Sequence, residues 1–118
     1  MDKAILEERL IDFAVQIITV INELPNNKAG NHLGNQLIRS GTAPALNYGE
    51  AQSGESRKDF IHKMKIALKE LRETLVNLKI IDRSKLLVSN DVLQNITKEN
   101  NELISIFVRS VKTVERNQ

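Results

Sequence analysis

Residues 56–82 read SRKDFIHKMKIALKELRETLVNLKIID, and this stretch decides the fold. Ser56, three residues before Asp59, has the form of a capping box, and Asp59 sits where the positive end of a helix dipole favours a carboxylate. From there Phe60, Met64, Ala67, Leu71, Leu75 and Leu78 recur at spacings of three and four, the period of one helix face. The segment predicts a helix over about 56–82 whose apolar stripe must pack against other helices.

The flanking sequence supplies them. Leu6, Leu10, Phe13, Ile17, Val20 and Leu24 give a first helix over about 3–24, widened by Ala14, Ile18 and Ile21. Pro25 to Gly30 is rich in turn formers. A second helix follows over about 31–52, with a disturbance expected where Pro44 follows Gly41. After the connector 83–88, Ser89 or Asn90 is placed to cap a fourth helix over about 90–115. Its seam, Leu93, Ile96, Asn100, Leu103, Phe107, Ser110 and Val114, is the weakest because of Asn100 and Ser110. Short connections force neighbours antiparallel, so residues 1–118 are expected to form one all-α, up-down-up-down four-helix-bundle domain.

Composition bounds the function. The chain has 118 residues, 41% hydrophobic and 27% charged, which suits a folded chain rather than a disordered one. It has no cysteine, so disulfides and thiolate metal sites are excluded. The N-terminal residues carry charges where a signal peptide needs an apolar run, and Phe13 to Ile21 is roughly half a membrane span. A cytoplasmic protein without a membrane partner is expected. The net charge of +2 is uneven: residues 55–85 hold nine basic and five acidic groups, against eight and ten elsewhere.

Two polar stripes stand out. On the second helix, Gln36, Arg39, Asn47 and Glu50 fall together, opposite the apolar residues, with Ala43 and Leu46 between them. Amide, guanidinium and carboxylate groups mixed with small residues suit a face buried against another subunit, where planar groups satisfy one another. An exposed face of accidental composition fits the pattern equally well. On the third helix, Lys58, Lys65, Lys69, Arg72 and Lys79 lie within roughly a 60° sector, beside His62. They span ~30 Å, enough to follow a phosphate backbone. A solvated face laced by ion pairs such as Lys69 with Glu73 is the alternative.

Catalytic and metal chemistry find little purchase. A di-metal bundle needs inward carboxylates and two Glu-x-x-His pairs, whereas this chain offers Asp59-Phe60-Ile61-His62, off the apolar stripe, and a lone His32. Phosphate loops and nucleophile elbows are missing. The expectation is a protein that is not an enzyme and holds no cofactor or metal.

Several of these residues recur as an ordered set: Leu33-x-x-Gln36-Leu37-x-Arg39-Ser40-Gly41-Thr42, Asn47-x-x-Glu50-Ala51, Ser56-x-x-Asp59-Phe60-Ile61 and Ala67-x-x-Glu70-x-x-Glu73-Thr74. In order and spacing they resemble the bacterial 23S rRNA intervening-sequence proteins, a four-helix-bundle family. The resemblance implies a left-handed up-and-down bundle assembled as a homopentamer. It extends to the accessory protein of diversity-generating retroelements, a basic pentamer considered to hold a reverse transcriptase and its nucleic acid. It marks Gln36, Arg39, Ser40, Asn47, Glu50, Asp59, Glu70 and Glu73 as family-type polar positions, with a structural or interface role. Ala43 and Leu75-Val76-Asn77-Leu78 depart from the family pattern, which has a serine at the first place and aromatic residues at the second. The expected function is that of a self-associating bundle binding RNA or DNA through the basic stripe. The alternative is a protein-interaction scaffold with no nucleic-acid role.

Overall fold

In the computed structural model, which describes residues 1–117, the chain forms four α-helices: α1 (Lys3–Glu23), α2 (Lys28–Gln52), α3 (Arg57–Arg83) and α4 (Asp91–Arg116). Asp2 starts α1 by accepting from the Ala4 amide at 2.7 Å, and Ser56 starts α3 by accepting from the Asp59 amide at 3.1 Å. The second helix begins earlier than its sequence predicts. Asn27 is its N-cap, with a side-chain oxygen accepting from the Gly30 amide at 2.8 Å. The chain turns tightly enough there that a Cβ on Gly30 would lie 2.0 Å from the Pro25 carbonyl oxygen, so only glycine fits. Asn90 holds the N-cap position of α4 but makes no side-chain capping bond.

Pro44 does not break α2. The helix runs unbroken through it, with Pro44 buried between its neighbours. On either side, Thr42 donates its hydroxyl to the Ile38 carbonyl and Asn47 donates its amide to the Ala43 carbonyl. Packing on both flanks offsets the one backbone bond that proline removes.

Each helix packs on its chain neighbours, and α1 also meets α4. No diagonal pair comes into backbone contact among the described residues. The product is an antiparallel up-down-up-down bundle, a rod of about 47 × 21 × 20 Å. The predicted stripes face its axis: Leu10, Phe13 and Ile17 from α1, Leu37 from α2, Met64 and Leu71 from α3, and Leu103 and Phe107 from α4 are all sealed from water. Tyr48 on α2 meets Phe107 on α4 edge-on across that axis, with ring centroids 6.0 Å apart. Gly41 lets α1 approach α2 closely, since a Cβ there would come within 2.7 Å of Ile17.

Ser40, Thr74, Asn77 and Asn100 are the buried polar residues among those described. Asn100 on α4 donates its amide to the Leu71 carbonyl of α3 at 3.1 Å, while its side-chain oxygen has no partner. Ser40 on α2 accepts from the Thr74 hydroxyl of α3 at 2.9 Å, in the dry interior.

Candidate nucleic-acid interface

The family-type polar residues converge on the line where α2 meets α3. Arg39 reaches across and donates to Glu70 and to Glu73, both at 2.8 Å. Its guanidinium is held charged beyond its ordinary range, first by the hydrogen bond to Glu73 and then by the field of both carboxylates. One planar fork thereby joins two carboxylates spaced three apart on the facing helix. Directly inside this surface clamp lies the Ser40–Thr74 pair, and the single Thr74 hydroxyl proton is shared between Ser40 and the Glu70 carbonyl, also at 2.9 Å. Toward the other end of α2, Glu50 accepts from Lys63 of α3 at 2.7 Å.

Gln36 and Asn47 are half-buried beside the same seam, Asn47 being occupied by its own helix. Asp59 is exposed in the first turn of α3, its backbone amide capped by Ser56. The structure thus gathers Arg39, Ser40, Glu70 and Glu73 into one lock, sets Glu50 in a separate pair, and leaves Asp59 apart from both.

The basic row occupies the outer side of α3. Lys58, Lys65, Lys69, Arg72 and Lys79 are all exposed. Lys65 pairs with Glu115 of α4 at 3.0 Å. Among the described residues the other four form no salt bridge. The pairing of Lys69 with Glu73 that their spacing allows is replaced by Arg39, which takes Glu73 from the neighbouring helix. The lock and the row meet in a shallow groove of about 650 Å³, lined by Gln36, Arg39, Glu73, Lys69, Arg72 and Asn77 among others.

Sequence reasoning missed three features. Arg9 on α1 donates to Glu99 and to Glu102 on α4, each at 3.0 Å, and is likewise held charged, chiefly by its hydrogen bond to Glu99. Asn77 is nearly buried beside the groove, within a stretch that sequence comparison flagged only as a departure. A third is the pairing of Glu50 with Lys63, which joins two helices and so leaves no mark in the period of either. Arg9 and its partners are about ninety positions apart, and no local pattern signals a contact of that span.

No helix among the described residues is long and apolar enough to cross a membrane, and no group of three or more His, Asp or Glu residues there could hold a metal ion.

Fold and polar lock together define an all-α, up-and-down four-helix bundle with a cationic helix face. Residues 3–109 match the model of the 23S rRNA-intervening sequence protein family, and the chain belongs to that family. It is similar to a crystal structure from Bacteroides thetaiotaomicron, a protein with unknown function from the S23 ribosomal protein family. The two superpose with a TM-score of 0.85 at 29% sequence identity, over 95% of this chain and 99% of that one. No curated protein matches the chain.

Proposed function

We propose that this chain is a non-catalytic, self-associating cytoplasmic bundle that binds RNA or DNA through the outer face of α3. The observation that carries this reading is the row of Lys58, Lys69, Arg72 and Lys79, exposed and without acidic partners among the described residues. Glu70 and Glu73, which flank Lys69 and Arg72 on α3, both pair with Arg39 from the neighbouring helix, which offsets one of their two charges. The lock therefore has a second consequence: it keeps Glu73 from quenching Lys69 and leaves the potential of the row positive.

Self-association draws on a different face. On α1, Ile11, Val15 and Ile18 are 41%, 56% and 40% exposed at spacings of four and three. Ile38, 43% exposed, stands at the same level of α2, between Gly34, which faces Ile21, and Gly41, which faces Ile17. An uncharged apolar strip of this kind loses free energy in water and gains it against a matching surface. A ring-like homo-oligomer, the homopentamer that the family resemblance implies, would cover it and repeat the cationic row around one surface. A nucleic-acid enzyme such as a reverse transcriptase is the protein partner this arrangement would serve.

Binding of labelled RNA and DNA by the purified chain over a salt series, with oligomer mass recorded in the same buffers, tests the proposal. Binding by an oligomer that weakens steeply with salt is expected. An intact oligomer that binds neither overturns the nucleic-acid reading and leaves a scaffold for other proteins.

A further inference from the structure

A cationic helix face can hold a single strand or a double helix, and the rest of the molecule discriminates between them. Proteins that hold single strands combine a basic groove with exposed aromatic rings on which bases stack. This chain has four aromatic residues, three Phe and one Tyr, and no Trp. Phe13 and Phe107 are sealed in the core, and Tyr48 is 5% exposed. Phe60 is half-buried and lines a cleft with Ile5 and Ile106, away from the row. No Phe or Tyr ring therefore lies beside Lys58, Lys69, Arg72 or Lys79, and the one ring on this face is the small imidazole of His62.

The row is also rigid. From Arg57 to Arg83 the helix contains neither glycine nor proline and is unbroken. Lys58 and Lys79 are 21 residues apart, so the charges keep fixed positions over ~32 Å. A single strand would have to be ordered along this ladder with only the His62 imidazole to stack on, too little to offset the lost freedom. A double helix is already ordered and carries about one charge per 1.7 Å of axis, a denser and stiffer match. Among the cations on this face lie His62, Val76 and Ile80, and the nearest amides that could read a ribose 2′-hydroxyl, Gln36 and Asn77, are half-buried and buried in the groove beside it.

Resting on the nucleic-acid reading above, we infer that α3 docks on the phosphate backbone of a double helix in preference to a single strand, and holds duplex RNA and duplex DNA alike. Contact is with phosphates, so sequence is not read.

The test uses the full chain with labelled 20-nucleotide RNA and DNA of one sequence, each single-stranded and as a duplex, titrated at several KCl concentrations. Duplexes are expected to bind at least about tenfold more tightly than their single strands, and the two duplexes to agree within about threefold. For one docked protomer with four phosphate contacts, log K against log salt should fall with a slope of about −3.6 on duplex DNA. Replacing Lys69→Gln, Arg72→Gln and Lys79→Gln together should flatten it by about 2.7. Single strands bound as tightly as duplexes overturn this inference and leave the nucleic-acid reading intact. A gap of more than tenfold between duplex RNA and duplex DNA overturns the indifference to sugar. Failure to bind any of the four overturns both.

Discussion

Across the α2–α3 seam Ser40 and Thr74 meet in the dry interior beneath the Arg39 clamp, whereas across the α1–α4 seam Arg9 reaches over open grooves to Glu99 and Glu102. The first is the broadest helix contact in the molecule and the second the narrowest. Toward the start of α1 and the end of α4 a cleft of about 780 Å³ opens between them, with Tyr48 and Phe60 among the residues lining it. Connectivity explains the difference. The short turn Ser53–Ser56 tethers α2 to α3, so their side chains meet at small loop-closure cost. The first and last helices share no turn and meet only when the whole chain is assembled. The tethered seam is also the one that carries the family-type residues, and it organises the cationic face.

The sharpest way to break this comparison is to ask whether α4 is loose throughout or only at its rim. Phe107→Ala should cost about 3–5 kcal/mol, as much as Leu71→Ala on α3 at about 2–5, because both side chains fill one shared core. Urea unfolding compares them directly. A loss below about 1 kcal/mol for Phe107→Ala would mean that α4 is loosely docked along its length. Next in size is the buried pair. Thr74→Val removes the donor to Ser40 in a fully buried site and should cost about 1–3 kcal/mol. Adding Ser40→Ala should recover part of that loss. Full additivity of the two would show that the hydroxyls do not depend on each other.

Smaller still is the bridge over the open seam. Arg9→Met keeps an unbranched apolar stem and removes the guanidinium, and should cost about 1 kcal/mol or less, since the pair is partly solvated. Its stronger signature is local. Amide exchange should accelerate in α1 and in the second half of α4 while the centres of α2 and α3 keep their protection. Uniform acceleration over all four helices would erase the distinction between the seams.

Helix period made most of the bundle legible: the buried faces of α1 and the first two-thirds of α4 follow the apolar repeats. On α3 Met64, Ala67, Leu71 and Leu78 do so, but Phe60 and Leu75 are only half-buried, and Ile61, Thr74 and Ile81 are buried in addition. The turn at 25–30 hid the start of α2, because Asn27 serves as a cap and as a turn former and the close approach of Gly30 to Pro25 is tertiary. Pro44 leaves α2 continuous from Lys28 to Gln52, since a proline inside a helix removes only one backbone bond. Within the polar set, spacing along α3 pointed to Lys69 with Glu73, while the folded chain joins Glu73 to Arg39, 34 positions away. A bidentate cation on a facing helix outcompetes a lysine on the same one, and periodicity cannot see across helices.

The least of the effects is a pH dependence at the open cleft. Tyr48 has its phenol raised above its ordinary value of 10.0, chiefly by burial and further by the carboxylates of Glu7 and Asp2. The folded chain therefore holds the Tyr48 proton more firmly than the unfolded chain does. The stability this contributes is complete below pH 10 and is lost as pH rises from there through the folded value. Lysines titrate in the same window, so the comparison must be with Tyr48→Phe, which keeps the ring against Phe107 and removes the proton. Melting temperatures of the two proteins should run parallel from pH 7 to about 9.5 and diverge above about 10, the parent falling faster. Parallel curves to pH 11 would mean that water reaches the phenol freely, and that the α1–α4 cleft stands open down to its floor.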